Sequence, residues 1–198
     1  DGFIISGFTE TEDKKSSRIW LVKTDRDGEE QWTQTFGSRG QNEGWSVDQT
    51  SDGGFIVAGS RQAFFPNYED VVLIRTDAQG EAIWEKFFGG QSWDRAAEVR
   101  PTSDGGFVLA GSSKMKERGS YDAWLMKVDA NGEPLWDRRF ESTSSDVIHA
   151  LHITSDGGYV MAGTTTPLDG GPADLLLIKT DARGNVPEKP VRLSGQLR

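Results

Sequence analysis

Two imidazoles, His149 and His152 in "IHALHIT", are the only ones in the chain and the natural place to look for metal or general-base chemistry. Three residues apart on a strand, they point to opposite faces and cannot clamp one ion. Trp32, Trp84 and Trp136 carry rings able to stack on a sugar or a quinone. Asp25, Asp27 and Glu29 in "TDRDGEE" alternate as oxygen ligands of a calcium loop would. Their counterparts "TDAQGEA" and "VDANGEP" lack the middle carboxylate, and no Glu stands at the twelfth position that an EF-hand uses. The chain has no Cys, which excludes thiolate metal sites, thiol nucleophiles and disulfide scaffolds. No serine elbow, phosphate loop or distinctive carboxylate pair stands out, so no catalytic residue, metal or cofactor is assigned.

The elements that must position these residues repeat. Phe3, Phe55, Phe107 and Tyr159 follow one another at intervals of 52 residues, as do Gly7, Gly59, Gly111 and Gly163, and Asp25, Asp77, Asp129 and Asp181. Trp32, Trp84 and Trp136 keep the same interval. Each period reads as four strands: A in "GWSVDQT", B in "GFIVAGS", C in "DVVLIRTD" and D in "AIWEKFF". The Asp and Gly of "SDGG" and of "TDAQGEA" suit tight turns between A and B and between C and D. The B to C and D to A connections are longer and share the opposite face. A period of this length made of four short strands is that of a propeller blade.

The pattern D-G-G-[FY]-x-x-x-G, then K-x-D-x-x-G, then Trp four residues on, resembles a family of tandem β-propeller repeats found in secreted and cell-surface proteins of bacteria and archaea. It is also distantly similar to the quinoprotein propeller repeat, whose turn is one residue longer. The resemblance implies an all-β propeller of four-stranded blades and an extracellular, cell-surface or periplasmic location, and it carries no shared activity. Blades 1–52, 53–104, 105–156 and a partial 157–186 form one domain, followed by a divergent tail, 187–198.

The array holds four copies of B, C and D but three of A. Glu188 stands at the tryptophan position, and Pro187 and Pro190 would interrupt a central strand. Two arrangements satisfy this count. One is part of a larger propeller completed by further blades of the same or another chain. The other is a closed four-bladed ring in which "KPVRLSGQLR" supplies the strand beside 1–7. The chain begins at Asp1 rather than Met, as expected of a processed protein or a piece of a longer one.

Composition narrows the partners. Acidic residues outnumber Lys and Arg 31 to 22, giving a net charge of -9 and arguing against nucleic acid. No apolar run approaches the roughly 20 residues of a membrane span. The repeated Trp positions suit packing between blades. Lys23, Arg75, Lys127 and Lys179 suit ion pairs with turn carboxylates such as Asp25 or Asp52. Function is therefore sought where the copies differ. Phe64, Phe65, Tyr68, Trp93 and Tyr121 fall in or beside the variable B to C and D to A loops and suit a protein or glycan ligand. Asp48, Arg100 and His152 share one position of the inner strand and differ in charge, as an asymmetric channel lining would. These features favour a non-enzymatic binding or adhesion module. The alternatives are a fragment of a propeller enzyme, quinoprotein-like or glycan-active, and a structural spacer.

Overall fold

The structure, a computed structural model, describes residues 2–62, 68–90, 93–114 and 119–187. These residues form fourteen strands and no helix. The first unit is a meander of β1 (Ile4–Glu10), β2 (Ser17–Thr24) and β3 (Glu30–Phe36). The second is β4 (Asn42–Gln49), β5 (Phe55–Gln62), β6 (Glu69–Thr76) and β7 (Ala82–Phe88), and the third β8 (Trp93–Pro101), β9 (Phe107–Lys114), β10 (Tyr121–Val128) and β11 (Pro134–Phe140). The fourth is β12 (Ser144–Ile153), β13 (Tyr159–Pro167) and β14 (Asp174–Thr180). Within each unit neighbouring strands are antiparallel. One parallel pairing, Glu69 with Trp93, joins the second unit to the third.

Local chemistry sets the hairpins. In the A to B turn the Thr50 amide donates to the Gly54 carbonyl, the Asp52 carboxylate accepts from the Thr50 hydroxyl and the Gly54 amide, and Gly53 takes φ 89°. In the C to D turn one Asp77 oxygen accepts from the amides of Gln79 and Glu81, and Asp25, Asp129 and Asp181 do the same. Asp25 thus spends an oxygen on its own backbone.

The cationic residues of strand C pair with the A to B turn. Arg75 reaches Asp52, Lys127 meets Asp104 at 2.8 Å and Lys179 meets Asp156 at 2.9 Å. The pairing is with the Asp52 series and not the Asp25 series. Lys23 donates to the Thr24 carbonyl and to Gln31. Gly54 lets the Arg75 side chain pass, since a Cβ there would lie 2.5 Å from its Nη1 and 2.2 Å from the Thr76 carbonyl oxygen.

Consecutive units pack face to face through three apolar cores. Ile19 and Leu21 meet Val57, Val72 and Ile74; Ile56, Val71 and Leu73 meet Val99, Leu109, Trp124 and Met126; Val108, Ala110 and Leu125 meet Ile148, Leu151, Tyr159 and Met161. The middle units are covered on both faces, which is why β5, β6, β9 and β10 are apolar without alternation.

The repeated tryptophans lie between units, as their phase predicts. Trp32, Trp84 and Trp136 stand against Phe55, Phe107 and Tyr159 of the next unit at centroid distances of 5.8, 5.9 and 5.9 Å. Each ring also lies under the next unit's turn glycine. A Cβ on Gly80, Gly132 or Gly184 would come within 2.6, 3.0 or 2.8 Å of it.

The outermost faces differ. Phe3 is 59% exposed where Phe55, Phe107 and Tyr159 are 2 to 3%, and a Cβ on Gly28 would meet nothing within 4 Å. At the other end Leu175 and Leu177 are exposed where Val71, Leu73, Ala123 and Leu125 are buried. Among the described residues no strand of the first unit is hydrogen bonded to one of the fourth, and β1 pairs only with β2. The segment "KPVRLSGQLR" lies outside the described residues.

Candidate functional site

Strand A carries one irregularity per unit, always at the same phase. Pairing between β4 and β5 slips between Gly44 and Ser46, between β8 and β9 from Ala96 to Glu98, and between β12 and β13 from Ile148 to Ala150. The unpaired residues are Trp45, Ala97 and His149. A β-bulge re-aims the extra side chain, and such bulges are frequent beside active sites. Because the bulge interrupts the alternation expected for "IHALHIT", both His149 and His152 are exposed while Ile148 and Leu151 enter the core.

The three bulges converge on a pocket of about 330 Å³. Trp45 of the second unit stands on one side and Val147, Ile148 and His149 of the fourth on another. The third unit supplies Arg95, Ala96, Ala97, Ser112 and Tyr121. The large bulge residues are anchored alike. The Trp45 indole donates to the Ser60 hydroxyl at 3.1 Å, and the His149 Nε2 lies 3.3 Å from the Thr164 hydroxyl. In the middle unit the same phase holds Ala97, which is too short to cover Ser112, the counterpart of Ser60. The Ser112 hydroxyl accepts from the Ile148 amide at 3.0 Å and lines the pocket. The space thus exists because a small residue stands between two rings.

Among the described residues lining the pocket, Arg95 is the one Lys or Arg. Its Nε donates to Glu69 at 2.8 Å, and Glu69 is buried at the parallel bridge joining the second and third units. Burial works against the guanidinium charge, but the hydrogen bond and charge of Glu69, aided by Tyr121 and Glu43, outweigh it and hold Arg95 above its ordinary value. Its guanidinium also lies 5.8 Å from the centre of the Trp93 ring.

The residues expected from sequence are distributed as follows. Phe64 and Phe65 lie outside the described residues. Tyr68 is half-buried just before β6. Trp93 and Tyr121 are not free loop residues but the first residues of β8 and β10, both paired with Lys114 of β9. Their backbones continue the ladder beyond the predicted strand ends, and this brings Tyr121 into the pocket and Trp93 against Arg95. Asp48 and Arg100 meet at 3.1 Å, and Arg100 also bonds Glu98, whose other oxygen accepts from the Leu151 amide. That chain of contacts stitches the second, third and fourth units together. Among the described residues no hydrogen bond or ion pair ties His152 to Asp48 or Arg100.

Sequence reasoning passed over Trp45, Arg95 and Ala97. The usable signal was the phase at which Trp45, Ala97 and His149 disagree. It also passed over Asp70 and Asp94. A Cβ on Gly89 would lie 2.5 Å from one carboxylate and 2.9 Å from the other, so the two are close neighbours. Burial, and for Asp70 the charge of Asp94, raise both above the ordinary carboxylate range; Asp94 is partly relieved by the Ser113 hydroxyl. Among the described residues no group of three or more His, Cys, Asp or Glu is arranged to hold a metal, and no helix is long and apolar enough to cross a membrane.

No family model matches the chain. No curated protein matches it. Among solved structures, a protein of unknown function from Bacteroides caccae is similar at 13% identity and a TM-score of 0.42, over 85% of this chain and 76% of that one. A likeness that distant assigns neither fold family nor function.

Proposed function

We propose that the four units are blades of a β-propeller and that the chain is a non-enzymatic binding module whose site is the bulge pocket on the loop-bearing side. The observation that carries this reading is the coincidence of three in-phase bulges, two bearing rings and one bearing Ala97, around a pocket whose described lining holds one guanidinium. A module serving only as a spacer has no need for such a break in its repeat. The exposed Phe3 and Gly28 at one end and Leu175 and Leu177 at the other support a propeller completed by further blades, since the same positions are buried wherever a neighbouring unit is present. The resemblance of the repeat to secreted and surface proteins supports an extracytoplasmic role in capturing a glycan or protein.

Glycan and protein arrays probed with the chain, and with Trp45→Ala, Ala97→Trp and the Phe64→Ala/Phe65→Ala pair, test this. Trp45 is about half exposed, so its loss leaves the fold intact. Binding should vanish in the two pocket variants. Retention of full binding in both would transfer the site elsewhere, and loss confined to the Phe64 and Phe65 variant would place it on the loop.

A further inference from the structure

Resting on the reading that the bulge pocket is a binding site, we infer that its ligand is a small carboxylate carried on a ring. The pocket volume of about 330 Å³ is at the lower end of the range for small-molecule sites, so it admits a small molecule or one end of a polymer rather than a protein loop. Its walls include the indole of Trp45 and the phenol of Tyr121, and flat rings of this kind contact the faces of sugar or aromatic rings.

The charge follows from Arg95. Glu69 engages its Nε, and among the described residues its two terminal nitrogens bond no other side chain. A guanidinium held at Nε presents Nη1 and Nη2 as a fork, and a planar fork matches the paired oxygens of a carboxylate or a phosphate. A phosphate dianion fits less well, because among the described residues Arg95 is the only Lys or Arg lining the pocket, Glu69 already offsets part of its charge, and Glu43 is nearby. Ser112 and His149 add polar groups beside the rings.

Two sources share this chemistry: uronic acids at the end of a polysaccharide, and free aromatic acids. Isothermal titration of the intact chain with trigalacturonate and with 4-hydroxybenzoate separates them. Each acid is compared with its methyl ester, which keeps the ring and removes the charge. At least one acid should bind, and its ester should bind roughly tenfold or more weakly, the scale of one charge-assisted hydrogen-bonded pair. Arg95→Gln should erase the difference between acid and ester, and Ala97→Trp should abolish binding by filling the space. Because Arg95→Gln also removes the Glu69 contact, the acid-to-ester ratio in the unaltered chain is the primary readout. Equal affinity for acid and ester, or no binding of either acid, would overturn the ligand class. A neutral ligand recovered from the arrays that depends on Trp45 and Ala97 would do so too while leaving the pocket as the binding site.

Discussion

Truncating the same repeated aromatic in two units should have very unequal consequences. Phe107 is 3% exposed and stands edge-on to Trp84 at 5.9 Å, within the core between the second and third units. Its replacement by Ala removes a buried ring and leaves a cavity beneath Trp84, costing about 3–5 kcal/mol. Part of that, about 0.5–1.5 kcal/mol, is the aromatic pairing itself. Phe3 occupies the same phase but is 59% exposed, so Phe3→Ala should change stability by less than about 0.5 kcal/mol. Urea unfolding at 25 °C, followed by fluorescence and circular dichroism, reads both. A second arm places a further copy of residues 53–104 directly before Asp1. Its copy of Trp84 then precedes Phe3 by the spacing that separates Trp32 from Phe55, and Phe3→Ala should cost about as much as Phe107→Ala. A large cost for Phe3→Ala in the present chain, or none after the added repeat, would refute the packing rule.

Two further outcomes concern carboxylates. Asp104 is held at about 2, first by the Lys127 hydrogen bond and then by the Thr102 hydroxyl, while Asp52 and Asp156 are lowered chiefly by their Thr hydroxyls. Groups depressed by folding contribute stability that is complete above the unfolded carboxyl value of about 3.9 and is lost as pH falls through the folded value. The thermal midpoint should therefore fall between pH 4 and 2, and Asp104→Asn should flatten that fall while lowering the midpoint at pH 7. Asp70 is the opposite case: its folded value is raised, so its ionised form opposes folding above that value and the penalty disappears below the unfolded one. Asp70→Asn should raise the thermal midpoint at pH 7 and leave it unchanged near pH 3.

Much of the fold was legible because each unit's local chemistry is complete within its own sequence. The "SDGG" and "TDAQGEA" turns, the apolar B and C strands and the Trp-bearing D strand fall where the repeat puts them, and β7 spans the predicted "AIWEKFF". Three features were less legible, each for a physical reason. Burial at Phe3 and Leu175 depends on whether another unit lies against them, which their own residues do not encode. The A strands begin earlier than predicted, since β8 starts at Trp93 and β12 at Ser144, where polar residues pair through the backbone without an apolar pattern to reveal it. The pocket arises from an extra residue in the ladder, and a bulge is a property of register between two strands. The disagreement of Trp45, Ala97 and His149 at one phase was visible, but its meaning required knowing that this phase is unpaired.

On the proposed reading, ligand is held at the bulge pocket and not at the repeated tryptophans. Fluorine NMR of the chain labelled with 5-fluorotryptophan tests it directly, because all seven tryptophans report separately and Trp45 is assigned with Trp45→Phe. During titration with a ligand retained on the arrays, the Trp45 resonance should move in a saturable manner while those of Trp32, Trp84 and Trp136 stay fixed. Saturable binding that leaves Trp45 unmoved would contradict the account.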